Sequence, residues 1–181
     1  MNSWVLPTSV CVGGKDYPVC TDYRDIIEIM RYLDDVEKPL YLRWDIALSL
    51  FYDTVPDDRE EAMKAMSDFI SEGEEEKQGQ KLLDWDQDAR AIIADVNKVA
   101  GKEIRSVPYL HWWTFLSYFR AIGEGQLSTL VGIRNKLRKG RKLEKWEQEF
   151  YRENRSAVDF KKKYTAEEEE EKERLLKMLD G

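Results

Sequence analysis

Histidine and cysteine are almost missing from this 181-residue chain: His111 is its one imidazole, and Cys11 and Cys20 are its two thiols. That excludes a disulfide framework and most zinc centres, which recruit two or more Cys or His ligands. Cys11 and Cys20 could face each other across a hairpin, but free cysteines serving as small buried hydrophobes are the expectation. Phosphate-cradling glycine loops are also lacking, since Gly13-Gly14 sits in a hairpin turn and Gly123-Glu124-Gly125 has no preceding strand of the kind a dinucleotide turn requires. No uncharged apolar run approaches the roughly 18 to 20 residues of a membrane-spanning helix, and the opening MNSWVLPTSV does not have the basic-then-apolar layout of a secretory signal. An intracellular protein is expected, with no metal and no cofactor.

What the chain does have is apolar and charged surface in quantity. Apolar residues make up 42% and include six tryptophans, enough for a real core, while 29 bases against 36 acids give a net charge of −7. The acidic balance argues against a generic nucleic-acid binder. The length suits one domain with an appendage.

Periodicity predicts a mainly α-helical fold of six to eight helices behind one hairpin. Ser9-Val10-Cys11-Val12 and Tyr17-Pro18-Val19-Cys20 flank Gly13-Gly14, which supplies the positive φ angles of a tight turn. Thr21 or Asp22 caps a helix through Tyr23, Ile26, Ile27, Met30 and Leu33. Further helices follow from Pro39 to a stop at Thr54-Val55-Pro56, from Asp57-Asp58 to Ile70, from Leu82 to Ala100, and from Pro108 to Ile122. A short one over Gln126–Ile133 and another around Trp146, Phe150 and Tyr151 complete the set. The expected core comprises Ile26, Ile27, Leu50, Phe51, Phe69, Ile92, Val96, Leu110, Phe115, Leu116 and Phe119. A helical domain over 1–155 and a charged helical tail over 156–181 are the expected organisation, the tail opening on a Thr165/Glu168 capping box.

Charge is segregated along the chain. Residues 57–76 hold nine acids and two bases, a net of −7, and read as a solvated face; residues 134–145 hold seven bases and one acid, a net of +6. The expected basic surface is Arg134, Lys136, Arg138, Lys139, Arg141 and Lys142. In the segment PYLHWWTFLSYFRAI the polar positions sweep only half the helical circle, so the helix is either central and packed on both sides or leaves aromatic surface for a partner. Candidate partner-binding residues are Tyr109, Trp112 and Trp113, with Leu175, Leu176 and Leu179 at the end of the tail. His111 in that aromatic helix reads as structural rather than as a base. Asp84, Asp86 and Asp88 read as caps of the following helix, because the glycine and twelfth-position glutamate of a calcium loop are missing. No catalytic residues can be assigned.

Five stretches together carry a resemblance: Tyr17-Pro18-Val19-Cys20-Thr21-Asp22-Tyr23-Arg24; Leu48-Ser49-Leu50-Phe51-Tyr52 before Val55-Pro56; Asp84-Trp85-Asp86-Gln87-Asp88-Ala89; Tyr109-Leu110-His111-Trp112-Trp113-Thr114-Phe115; and Arg134 followed by Glu149-Phe150-Tyr151-Arg152. In this order, to about residue 155, the chain resembles the bacteriophage gene-product-fifteen family of Gram-positive tailed phages. The resemblance implies a non-enzymatic tail assembly chaperone that binds the tape-measure protein and hands it to tail-tube protein. It implies action in the host bacterial cytoplasm and absence from the finished virion. The leucine cluster of the tail must dock on its own domain, on a second copy or on the client, and self-association is the first expectation. Two readings stand as alternatives: a structural component of the tail or head-tail junction, and a nucleic-acid binder acting through 134–145.

Overall fold

A computed structural model describes residues 4–74 and 82–160. The chain opens on a hairpin, β1 (Ser9–Val12) and β2 (Lys15–Pro18), antiparallel in the register Val10 to Tyr17 and Val12 to Lys15. Gly13 and Gly14 turn it with φ of 58° and 75°, values that side chains with a Cβ rarely adopt. Helices α1 (Tyr23–Leu33), α2 (Leu40–Phe51) and α3 (Arg59–Ser71) follow; α1 packs on α2, α2 on α3, and α3 on strand β1. Helix α4 (Ala89–Ala100) and a 3-10 turn at Ile104–Ser106 lead to α5 (Trp112–Arg120), then α6 (Gln126–Arg138), α7 (Lys145–Glu153) and α8 (Arg155–Val158). The mainly helical fold with an N-terminal hairpin is therefore as the sequence predicts.

α5 occupies the middle. It touches α1 on one side and α4 on the other, and Phe115 lies at its centre, stacked on Tyr23 at 4.8 Å and on Trp112 at 5.5 Å between ring centroids. The wide apolar arc is consumed by this double packing. Two boundaries shrink for one physical reason, competition from side chains and tertiary bonds for the backbone. The helix expected from Leu82 starts only at Ala89, because Asp84 Oδ1 accepts from the amides of Asp86 and Gln87 and folds the segment into a turn. The helix expected from Pro108 starts at Trp112, because Leu110 is bonded through both its amide and its carbonyl to Asp22 and Tyr23. In contrast, α6 runs five residues past Ile133, its last turn carrying Lys136 and Arg138 toward the negative end of the helix dipole.

Of the expected core, Ile26, Phe51, Phe69, Ile92, Val96, Leu110, Phe115 and Leu116 are buried, and Ile27 and Phe119 are packed at its edge. Leu50 is a correction, at 42% exposed. α2 turns Ala47, Leu48 and Phe51 inward, and Leu50 falls outside that arc. Val158, beyond the boundary expected at 155, is buried against α6. The capping box at Thr165 and the tail leucines lie outside the described residues.

Candidate interaction surface

The stretches that carry the family resemblance meet in space, and they meet as seams. Asp22 caps α1 by accepting from the Arg24 amide at 2.9 Å, and its second oxygen accepts from the Leu110 amide at 3.0 Å. The Trp112 amide donates to Thr21 O at 2.7 Å, Tyr109 Oη and Thr21 Oγ1 share a 2.7 Å bond, and Arg24 reaches Val107 O at 2.6 Å. His111 completes the seam: Nδ1 accepts from the Trp113 amide at 3.1 Å as the N-cap of α5, so the proton sits on Nε2 and donates to Pro7 O at 2.9 Å. Both ring nitrogens are thus engaged in holding backbone. In the same way Val19 and Tyr52 form a bridge, and Tyr52 Oη donates to Ala62 O at 2.8 Å.

A second seam corrects one site residue. Arg134, expected on a basic surface, is 5% exposed. Its guanidinium forms a fork on Asp88, at 2.6 and 2.8 Å, and donates also to the carbonyls of Leu82, Ala157 and Val158, so all five N–H groups are used. Asp88 meanwhile accepts from the Asp84 amide at 2.9 Å. Phe160 covers the guanidinium, 4.2 Å from its carbon to the ring centroid. This cluster ties α6 to the turn before α4 and to α8. A lone arginine in a run of bases carries no sequence mark of such burial, and its distance from Asp88 along the chain hides the pair.

Lys136 is likewise drawn in. It pairs with Glu147 at 2.7 Å, and that bond, with one from the Glu144 amide, holds the Glu147 carboxyl below its ordinary range. Arg138, Lys139, Arg141 and Lys142 are exposed, in and just after the last turn of α6. Lys139, Arg141 and Lys142 have no side-chain partner among the described residues. The exposed basic surface is therefore shorter than the sequence suggests.

The two tryptophans are committed internally. Trp112 is buried, which removes it from any surface, and its Nε1 donates to Ile70 O at 2.9 Å. Trp113 is half-buried, and its Nε1 donates to Phe69 O at 2.9 Å. Together they donate to carbonyls in the last turn of α3: Ile70 O, which no backbone amide among the described residues reaches, and Phe69 O, which also accepts from the Glu72 amide at 3.3 Å. Tyr109 is exposed along its ring while its hydroxyl is held by Thr21. Leu175, Leu176 and Leu179 lie outside the described residues.

The apolar surface that the sequence reading missed belongs to α2. Its sequence LYLRWDIALSLF is apolar on nearly every side, a pattern that ordinarily marks a helix buried all round. Here only one arc is covered. Leu40 and Tyr41 are 61% and 70% exposed, and Leu42, Ile46 and Leu50 follow one another at four-residue spacing along a flank that is exposed or half-exposed. Val36, just before the helix, is also exposed. The missed signal was the scarcity of polar residues in α2, only Arg43, Asp45 and Ser49 among its twelve, which leaves leucines in water once the arc against α1 and α3 is filled.

α4 also positions the start of α6. Asp95, buried on α4, accepts from the Leu127 amide at 2.8 Å, so a carboxylate sits at the positive end of the α6 dipole. Gly125 leaves room for it, because a Cβ there would lie 2.4 Å from Asp95 Oδ2.

The thiols are free and differ sharply. Cys11 is exposed, whereas burial, reinforced by Asp25, Asp22 and Asp53, pushes the Cys20 thiol up to about 12. One equivalent of thiol is expected to react quickly with a disulfide reagent in the native protein at neutral pH and the second only on unfolding, because the thiolate is the nucleophile. Two equally fast equivalents, followed by mass spectrometry of the alkylated chain, would contradict the placement of Cys20.

Among the described residues no helix is long and apolar enough to cross a membrane, and no group of three or more His, Cys, Asp or Glu side chains is placed to hold a metal ion. No curated protein and no solved structure matches the chain. Residues 4–165 match the family model described as Bacteriophage Gp15 protein, which takes in both seams and the α2 face, and points to a phage structural or morphogenetic protein. The chain belongs to the Bacteriophage Gp15 protein family.

Proposed function

We propose that this chain is a non-enzymatic tail assembly chaperone that holds the tape-measure protein soluble and passes it to tail-tube protein in the host bacterial cytoplasm, without remaining in the finished virion. The observation that carries the reading is the outer face of α2. A client of amphipathic helices is gripped by burying its apolar stripe on apolar surface, with charge around the contact keeping the loaded complex soluble. Leu40, Tyr41, Leu42 and Leu50 supply that surface on a scaffold whose family-like motifs are engaged in holding backbone together. Tyr109 is a second exposed aromatic on the same chain, and Trp112 is withdrawn from the contact by its burial.

Co-expression with the tape-measure protein of the same phage tests the reading. The natural chain is expected to bring the tape measure into the soluble fraction and co-purify with it. A Leu42→Glu/Leu50→Glu chain is expected to lose co-purification by at least about tenfold while keeping its helical circular dichroism, since exposed positions contribute little to folding. A well-folded variant that still solubilises the tape measure overturns α2 as the gripping face. A natural chain that does not bind it at all overturns the chaperone reading, and recovery of the chain in purified virions favours a structural tail component instead.

The basic segment gives a nucleic-acid reading less support. With Arg134 buried and Lys136 paired, few cations remain for phosphates. Any affinity is expected to be weak and to vanish as salt rises.

A further inference from the structure

We propose that the acidic carboxy-terminal segment of this chain, residues 165–181, docks on the basic connection between α6 and α7 of the same chain. The contact stands independently of the client-binding reading. Lys139, Arg141 and Lys142 project there with no side-chain partner among the described residues, next to the exposed Leu137. Leu137 and Arg138 line a groove with Leu82, Arg134, Val158, Asp159 and Phe160, where the Asp159 carboxylate is already held by Tyr151 Oη and Arg155 Nε, and Phe160 is the last described residue. The remaining chain therefore leaves from the groove itself.

The segment that follows has the composition this surface fits. Residues 165–181 carry seven acids, Glu167 to Glu171, Glu173 and Asp180, against three bases, Lys172, Arg174 and Lys177, which gives 3 − 7 = −4. Its apolar residues, Leu175, Leu176, Met178 and Leu179, match the apolar part of that groove, Leu82, Leu137 and Phe160, which lie over the buried Val158. Glu167 to Glu171 lie seven to eleven residues beyond Phe160, a reach of roughly 25 to 40 Å for extended chain, which makes the encounter intramolecular at an effective concentration on the order of millimolar. The contact neutralises the strongest basic run of a protein whose net charge is negative. It would give that loop a resident occupant that an acidic partner must displace.

Zero-length carbodiimide cross-linking of the full chain, read by mass spectrometry on a mixture of isotopically light and heavy protein, tests it. Lys139 and Lys142 are expected to join Glu167 to Glu171 within one chain. Yield should exceed that to Lys64, Lys98 or Lys102 and fall about fivefold as salt is raised several-fold, because the charges are exposed. The pair Lys136 and Glu147, 2.7 Å apart, reports that the reagent works. Lys139→Glu/Arg141→Glu/Lys142→Glu should abolish the cross-links of the tail to this loop, leaving the Lys136 and Glu147 pair intact. In that variant, changing Glu167 to Glu171 into lysine as well should restore cross-linking with the polarity reversed. Mixed-isotope products would place the tail on a second copy, and equal yields to all lysines, or none, would show no docking. Each of those outcomes overturns the intrachain contact.

Discussion

Arg134→Ala is expected to destabilise the protein by about 3 to 5 kcal/mol, a large share of the total stability of a domain this size. The cost comes less from losing an attraction than from what is left behind. Asp88, 2% exposed, would keep its charge with a single remaining partner, the Asp84 amide, and the carbonyls of Leu82, Ala157 and Val158 would each lose a donor. Water reaching the cavity would soften the penalty without removing it. Arg134→Lys is expected to recover little, since one ammonium cannot reproduce a planar fork that reaches two carboxylate oxygens and three carbonyls at once. Asp88→Asn should cost less than Arg134→Ala, because the amide oxygen can still accept from the guanidinium. In a double-mutant cycle the combined Arg134→Ala/Asp88→Ala change should cost clearly less than the two single changes added, since each single change strands the other residue. Urea unfolding followed by far-ultraviolet circular dichroism measures all five variants, the Asp88→Ala single change included. Additive costs, or an Arg134→Ala chain as stable as the natural one, would show that the fork does not hold α6 to α4 and α8.

The same residue marks where sequence reasoning stopped. Helical spacing placed Ile26, Phe51, Phe69, Val96 and Phe115 in the core correctly, because each repeats with neighbours three or four positions away on one face. The hairpin was legible for a similarly local reason, two adjacent glycines between short alternating runs. Arg134 and Asp88 lie 46 positions apart, and neither has a local pattern that distinguishes it from solvated neighbours. The start of α5 was misplaced for the same reason. Pro108 is a good local signal for a first turn, but Leu110 is bonded to residues 22 and 23, 88 positions away in the case of the Asp22 carboxylate. For the candidate site the failure was different. The aromatic density of residues 109–122 suggested spare binding surface, yet an apolar arc spanning more than one face is what a helix between two layers requires. α2 shows the converse. Its apolar residues outnumber what one packing face can take, so Leu50, expected in the core, stays in water with Leu40 and Tyr41, and only the geometry of the neighbouring helices decides which of them are covered.

Phe115→Ala is expected to cost about 3 to 5 kcal/mol and to lower the midpoint of thermal unfolding by roughly 10 °C. Phe115 is 1% exposed and sits on the helix that both halves of the fold share. Its ring stacks on Tyr23 from α1 at an interplanar angle of 8° and on Trp112 at 16°, and Trp85 and Phe119 approach within 6.3 Å. Truncation to alanine removes a surface from each of these rings, and the partners are poorly placed to close the gap. Trp112 is fixed by its bond to Ile70 O, and Tyr23 by the bond of its amide to Leu110 O. A cavity that cannot collapse carries the upper end of the cost. The near-ultraviolet circular dichroism of the aromatic cluster should weaken while the far-ultraviolet signal at low temperature is kept, because the helices persist and the fixed ring geometry does not. Phe115→Leu, which refills most of the volume without a ring, should recover about half of the stability and little of the near-ultraviolet signal. Trp113→Phe supplies the contrast. It removes one indole bond, to Phe69 O, at the half-buried edge of the cluster, and is expected to cost about 1 kcal/mol. If Trp113→Phe proves the more damaging of the two, the fold is held by the closure of the α3 terminus rather than by the stack around Phe115.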